Sequence, residues 1–310
     1  MSTALSSTAT AFELDEIVEG LHHARTQWRT QQQRAQDIGG RELPSREALS
    51  TMIDSLRGAL FPMRLGPPDL RQENEDFYVG HTLGTVLHSL FAQVRLELRY
   101  QARHDAQKSS IDDAEQQAII LTRAFAAKLP EIRILLDSDV LAAYEGDPAA
   151  RSVDEVLLCY PGILAMIHHR IAHELYQLGV PLIARIIAEL AHAQTGIDIH
   201  PGATIGACFF IDHGTGVVIG ETAVIGKKVR VYQAVTLGAK RFSSDENGVL
   251  HKGLPRHPQV EDDVVIYAGA TILGRVTIGK GAVIGGNVWL THDVATGAHV
   301  AQASSRSEIQ

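Results

Sequence analysis

From Ile199 to Leu290 an aliphatic residue returns at almost every sixth position: Ile199, Ile205 and Ile211, then Ile219, Ile225, Val231 and Leu237, then Val260, Ile266, Ile272, Ile278, Ile284 and Leu290. Two positions before most of these stands a small or β-branched residue, among them Ala203, Val217, Ala223, Val229, Val235, Val264, Ala270, Val276, Ala282 and Val288. Glycine often follows, as at Gly206, Gly220, Gly226, Gly238, Gly279 and Gly285. A helix would place its apolar residues on a 3.6 period, and this stretch is dense in glycine and β-branched residues instead. The six-residue period predicts a parallel β-helix of triangular section. Each hexad is one short strand and a corner, three hexads make a coil of roughly 18 residues, and thirteen hexads give a little over four coils. The aliphatic side chain faces inward, and the glycine after it is expected to take the positive φ of a tight corner.

The preceding chain reads differently. Residues 1–12 are rich in Ser, Thr and Ala, with no basic residue and no continuous apolar run, so they read as a disordered leader and not as a signal peptide. From 13 to 194 the periodicity is helical, with amphipathic helices expected over Glu75–Ala106, Asp112–Ala127 and Ser152–Ala193, the last broken near Gly179 and Pro181. The organisation expected is a leader (1–12), an all-α domain (13–194), a β-helix (195–294) carrying a protruding loop (240–257), and a tail (295–310). Its fold class is α + β. The helical part is expected to serve oligomer contacts and to cap the first coil, whose edge would otherwise expose unpaired backbone groups.

The repeat breaks twice. Ile211 and Ile219 are eight apart, which leaves two extra residues in Asp212-His213-Gly214-Thr215-Gly216, and Leu237 and Val260 are 23 apart, an excursion ending in Pro255-Arg256-His257-Pro258. Packing alone has little use for either break, whereas loops on a rigid scaffold commonly carry chemistry. Because the fourth hexad stacks on the first, His213 should lie one coil above Gly196–Asp198, with Asp198 pointing outward. An Asp198–His213 pair of the kind a general base needs is therefore expected. Arg256 and His257 start the eighth hexad at another corner, one side of the prism away, roughly 15–20 Å at strand-like rise. His213 and His257 could then share a site only across a subunit boundary, as in parallel prisms around a three-fold axis.

Composition narrows the partners. The formal charge of −8 argues against nucleic acid or an anionic membrane, and no run approaches the ~18 apolar residues of a membrane helix. Two cysteines, Cys159 and Cys208, suit a reducing cytoplasm better than a disulfide framework. His169 and His173 have the i,i+4 spacing of metal ligands, but Arg170 occupies the place where the metalloprotease pattern needs Glu, so His168, His169 and His173 are read as structural and no metal is expected. His200 is read as serving its own corner, and His251 as solvated.

At Asp198-Ile199-His200-Pro201-Gly202, Asp212-His213-Gly214-Thr215-Gly216, Gly220-Glu221-Thr222-Ala223-Val224, Val235-Thr236-Leu237-Gly238 and Arg256-His257-Pro258 the chain resembles serine O-acetyltransferases, which belong to the hexapeptide-repeat acyltransferases. The resemblance covers about Asp147 to Asp293. It implies a left-handed β-helix behind a helical domain, transfer of acetyl from acetyl-CoA to L-serine, and the first step of cysteine biosynthesis. It also implies His213 as the base, Asp198 as its orienting carboxylate, Asp147 and Asp212 at the serine amino group, Arg256 at its carboxylate, and His257 as a further substrate contact. Glu221 would anchor this neighbourhood. The pantetheine arm of the cofactor would bond backbone groups near Gly238, Ala239 and Ala268. A zwitterion suits two aspartates and a forked arginine.

The loop Lys240–Leu254 is longer than in the shorter relatives, and Tyr267 stands where they carry glycine. Relatives dock O-acetylserine sulfhydrylase through a terminal isoleucine, whereas this chain ends Ser307-Glu308-Ile309-Gln310, which speaks against that partner. Homotrimer and dimer of trimers both remain compatible with the sequence, as does inhibition by cysteine. Other readings are acetylation of a sugar or homoserine hydroxyl, a γ-type carbonic anhydrase built on His213, His251 and His257, which would leave Arg256 and Asp212 without a role, and an inactive scaffold.

Overall fold

The computed structural model describes residues 12, 14–32, 43–104, 113–240 and 253–302. The middle of the protruding loop with His251, most of the leader and the terminal residues 303–310 lie outside them. Two compact units divide the chain, Met1–Glu42 and Leu43–Gln310. The first contains helix α1 (Leu14–Gln31), whose Leu14, Ile17, Val18, Leu21 and Trp28 fall on one stripe. The second holds helices and β-helix together, with one continuous apolar core running from Leu49 to Val294. This differs from the expected division at 194.

Helices α2 (Arg46–Leu60), α3 (Pro62–Leu65), α4 (Glu75–His104), α5 (Asp113–Gly146), α6 (Val153–Cys159), α7 (Pro161–Gln177) and α8 (Pro181–Thr195) precede the coil. Ser45 and Ser152 cap α2 and α6 by accepting from the backbone N–H groups of Ala48 and Glu155. Helix α5 was expected to stop at Ala127 and instead continues through Pro130 to Gly146. Proline inside a helix costs about 3 kcal/mol, but Phe125, Leu129, Ile132, Leu136, Val140 and Ala143 form one buried face whose packing outweighs it. The stretch Ser152–Ala193 breaks near Gly179 and Pro181 as expected, and once more at Tyr160, so it forms three helices. Prolines 161 and 181 open α7 and α8 in their first turns, where the missing N–H is not needed.

Among the described residues fourteen short strands follow: β1 (Asp198–Ile199), β2 (Thr204–Ile205), β3 (Phe210–Ile211), β4 (Val218–Ile219), β5 (Val224–Ile225), β6 (Arg230–Val231), β7 (Thr236–Gly238), β8 (Gln259–Val260), β9 (Val265–Ile266), β10 (Thr271–Leu273), β11 (Thr277–Ile278), β12 (Val283–Ile284), β13 (Trp289–Leu290) and β14 (His299–Val300). From β1 to β13 every third strand pairs in parallel, and β14 pairs with β12, giving three sheets ordered β1-β4-β7-β10-β13, β2-β5-β8-β11 and β3-β6-β9-β12-β14. All thirteen expected inward positions are buried. Pairing continues to His299–Val300, past the expected boundary at 294.

The glycines after the aliphatic residues serve a purpose other than the one expected. Positive φ falls three residues after the aliphatic, at Cys208, His213, Lys228, Ala234, Asp263, Gly269, Gly281 and Asn287, or within a residue of that place. Gly206 is needed for close stacking instead, since a Cβ there would lie 2.6 Å from the backbone of Gly226 in the next coil.

A buried ion pair joins helices to coil. Arg170 of α7 donates to both oxygens of Asp139 on α5 at 3.0 and 3.1 Å, and its remaining N–H groups reach the carbonyls of Ile205 and Gly206. Asp139 also accepts from the backbone N–H of Phe209 at 2.9 Å. Arg170, which breaks the metalloprotease pattern in the sequence, is thus the pin that sets the helices on the first coil. Neighbouring His168 and His173 bond the carbonyls of Leu164 and Pro201, and His169 is buried with its charged form disfavoured by desolvation, so all three serve packing.

Candidate active site

The first break in the repeat gathers one polar group. His213 adopts φ 59° and its side chain is 72% exposed at the corner between β3 and β4. Asp212, next to it, is buried; one oxygen lies 3.8 Å from His213 Nε2 and the other accepts from Arg230 Nη2 at 2.9 Å. Arg230 stands directly over Phe210 in the next coil, with its guanidinium carbon 4.8 Å from the ring centroids of both Phe210 and Tyr232. Tyr232 in turn stacks on Tyr267 at 5.0 Å.

The helices complete this group. Gly146, the last residue of α5, packs on Phe210, where a Cβ would come within 2.9 Å of the ring, so Asp147 emerges beside Arg230. Gly162 in the first turn of α7 packs on the carbonyl of Ile211, where a Cβ would stand at 2.5 Å, and this delivers Tyr160. The Tyr160 hydroxyl donates to one Asp147 oxygen at 2.5 Å and the Ala149 N–H to the other at 2.8 Å. These bonds hold the Asp147 carboxyl below its ordinary value, with smaller help from Arg230 and His213, while the Tyr160 hydroxyl is pushed up to about 12.

The second break gathers another group at the start of β8. Thr222 Oγ1 accepts from the backbone N–H groups of Arg256 and His257 at 2.9 and 3.2 Å, and His257 Nδ1 lies 2.9 Å from the same hydroxyl. His257 Nδ1 also accepts from the Thr222 N–H at 3.0 Å. Nδ1 is therefore an acceptor, and this network assigns the ring proton to Nε2. Burial, followed by the charge of Arg256, lowers the His257 pKa to about 4, so the ring is neutral at pH 7. Room for it comes from Gly220, whose Cβ would lie 2.0 Å from His257 Cδ2. Arg256 pairs with Glu221, and Glu221 accepts from the Tyr176 hydroxyl at 3.0 Å. His200 accepts from the Gly202 N–H at its own corner, as expected. Among the described residues no hydrogen bond or ion pair within 4.0 Å joins the His213 group to the His257 group.

One expected contact is absent from the protomer. The bulge does stack as anticipated, with the Gly216 N–H donating to the carbonyl of Gly196, but among the described residues Asp198 makes no ion pair within 4.0 Å with His213. Asp198 faces helix α8 instead, its carboxylate within 4.8 Å of ligand atoms of Glu189 and His192, and the carboxylate nearest His213 is Asp212. Helix α8 packs against β1, which sets Glu189 and His192 beside Asp198. Gly238 ends β7 with Ala239 just after it, and Ala268 follows β9; the carbonyls of Gly238 and Ala268 accept N–H groups of Gly274 and Asn287 in the coil stack. Sequence reasoning missed Arg230, Tyr160, Tyr232 and the Arg275 guanidinium, which donates to the carbonyls of Thr222 and His257. Arg230 occupies an ordinary outward hexad position, and only the packing distinguishes it.

Residues 257–292 match the family model described as bacterial transferase hexapeptide (six repeats). A serine acetyltransferase from Synechococcus elongatus is 58% identical over 267 residues, covering 86% of this chain and 84% of that protein. Among solved structures, serine acetyltransferase 1 of Entamoeba histolytica in complex with L-cysteine aligns with a TM-score of 0.70 at 39% identity, over 81% of this chain and 86% of the other. Soybean serine acetyltransferase complexed with serine aligns at 0.52 and 31%, over 83% and 96%. With its helical N-terminal region followed by a left-handed parallel β-helix of hexapeptide repeats, the chain belongs to the serine acetyltransferase family.

Proposed function

We propose that this chain transfers the acetyl group of acetyl-CoA to the hydroxyl of L-serine, giving O-acetyl-L-serine and CoA, the first step of cysteine biosynthesis, in the cytoplasm. The observation that carries the reading is the pair of polar groups at the two breaks of one rigid repeat, one acidic with an exposed imidazole and one with an arginine beside a neutral imidazole. They sit at different corners, so a complete site takes the His213 group from one subunit and the His257 group from its neighbour, in a homotrimer or a dimer of trimers.

In this site Asp147 and Asp212 hold the serine ammonium and Arg256 its carboxylate, with N–H donors left beyond those bound to Glu221 and Leu254. His213 takes the hydroxyl proton as the serine oxygen attacks the thioester carbon. Asp198 is the carboxylate that steadies the imidazolium once the exposed ring rotates toward it, a motion of the ps–ns class for a surface side chain. The tetrahedral oxyanion is met by fixed donors, and the Nε2 proton of neutral His257 suits a substrate contact there. Collapse breaks the carbon–sulfur bond, and the departing sulfur of CoA receives the proton from His213. The thioester supplies the driving force, and the base and the fixed donors carry the proton and the developing charge. The pantetheine arm lies along Gly238, Ala239 and Ala268, where N–H groups and second carbonyl lone pairs are the available contacts. L-Cysteine, found on the Entamoeba relative, differs from serine by one atom and fits the same site as an inhibitor.

Initial rates of thiol release should require both acetyl-CoA and L-serine, with homoserine and sugars far poorer. His213→Ala should lose 10²–10⁴-fold, the usual contribution of a positioned base. Coexpressed His213→Ala and His257→Ala chains should recover activity that neither has alone. Full activity of His213→Ala sinks the base assignment, and no recovery on mixing sinks the shared site.

A further inference from the structure

The acidic end of the site contains a cation that the scheme above leaves unused. Asp147 and Asp212 together carry two negative charges, and a serine ammonium neutralises only one. Arg230 supplies the other. Its guanidinium is clamped between the rings of Phe210 and Tyr232 at 4.8 Å each, Tyr232 is backed by Tyr267, and Nη2 donates to one Asp212 oxygen at 2.9 Å. The arginine Nε is buried with no hydrogen-bond partner, so the side chain gives up solvation to hold this pose. A flexible lysine could not both stack on two rings and point a fixed donor at the carboxylate.

We propose that Arg230 is a positioning residue for the amino-group end of the substrate: it fixes one oxygen of Asp212 so that the other faces His213 and the incoming ammonium. This rests on the reading that Asp212 meets the serine amino group. Without Arg230 the Asp212 carboxylate can turn and close the 3.8 Å gap to His213, tying up the base, and the two aspartates keep an excess charge that favours divalent cations over a single ammonium. The arginine therefore sets both the direction and the net charge of the ammonium subsite.

The test is kinetic. Arg230→Met should raise the serine KM about tenfold while the acetyl-CoA KM stays within about twofold, and Arg230→Lys should fall between Arg230→Met and the unaltered chain. In an Asp212→Asn background, adding Arg230→Met should change kcat/KM for serine by less than about twofold, because the two residues act as one unit. Equal changes in both KM values, or the full Arg230→Met effect persisting in the Asp212→Asn background, would make Arg230 a mere prop of the fold and overturn the proposal. If the unaltered enzyme releases no thiol with serine, the activity reading fails as well. If it is active and Asp212→Asn impairs serine use while Arg230→Met does not, only this inference fails.

Discussion

Gly220→Ala is the smallest change that should disable the second half-site. Position 220 does not use positive φ, so its backbone accepts alanine, and its N–H keeps the bond to the Leu237 carbonyl. The added methyl, however, would stand 2.0 Å from His257 Cδ2 and 2.1 Å from Nε2. Carbon contacts settle near ~3.5–4.0 Å, so the ring must retreat by roughly 1.5 Å. Such a shift breaks the Nδ1 bonds to Thr222 that hold the ring and fix its tautomer. A misplacement of about 1 Å at a reacting centre costs on the order of 100-fold. Gly220→Ala should therefore lower kcat/KM about 100-fold in the thiol-release assay, with a cooperative thermal transition retained, and should add nothing to the defect of His257→Ala. Activity within threefold of the unaltered enzyme would refute the claim that this gap positions a functional imidazole.

Two further outcomes concern stability. Arg170→Met removes the cation that offsets the burial of Asp139, whose pKa burial already raises, and strips donors from the Ile205 and Gly206 carbonyls, so urea denaturation should show a loss of about 3–5 kcal/mol, with Asp139→Leu/Arg170→Met losing less than Arg170→Met alone; a loss under about 1 kcal/mol contradicts the pinning role. His257 has a folded pKa of about 4 against an unfolded value near 6.5, so between these values the unfolded chain binds more protons, and stability present above pH 6.5 is lost as pH falls toward 4. At pH 5 this one group removes about 2 kcal/mol, and His257→Gln should show a shallower fall in urea midpoint from pH 7.5 to 5 than the unaltered chain; identical slopes would contradict it.

Much of the coil was legible because its rule is local and repeats. An inward aliphatic every sixth residue must be buried or the strand has no core, so the positions from Ile199 to Leu290 were determined without any coordinates. The same regularity made its two breaks conspicuous and drew attention to His213 and His257. The role of glycine was misjudged because a hexad count cannot distinguish a strained φ from a crowded neighbour; Gly206 is small for the sake of Gly226 in the coil above. Helix ends were poorly legible where long-range burial overrides local signals, as at Pro130.

The sequence alone thus determined the period, the inward face, the stacking of every third strand and the corners at which chemistry gathers, since all of these follow from spacing along one chain. Tertiary structure decided what surrounds those corners. Asp147 comes near His213 and is held by Tyr160 because helix ends pack on Phe210 and Ile211, Arg230 becomes a clamp for Asp212 because the coil above places it beside two rings, and Asp198 lies beside Glu189 and His192 because helix α8 packs on β1. These are contacts between segments far apart in the chain, and no periodicity encodes the distance between them.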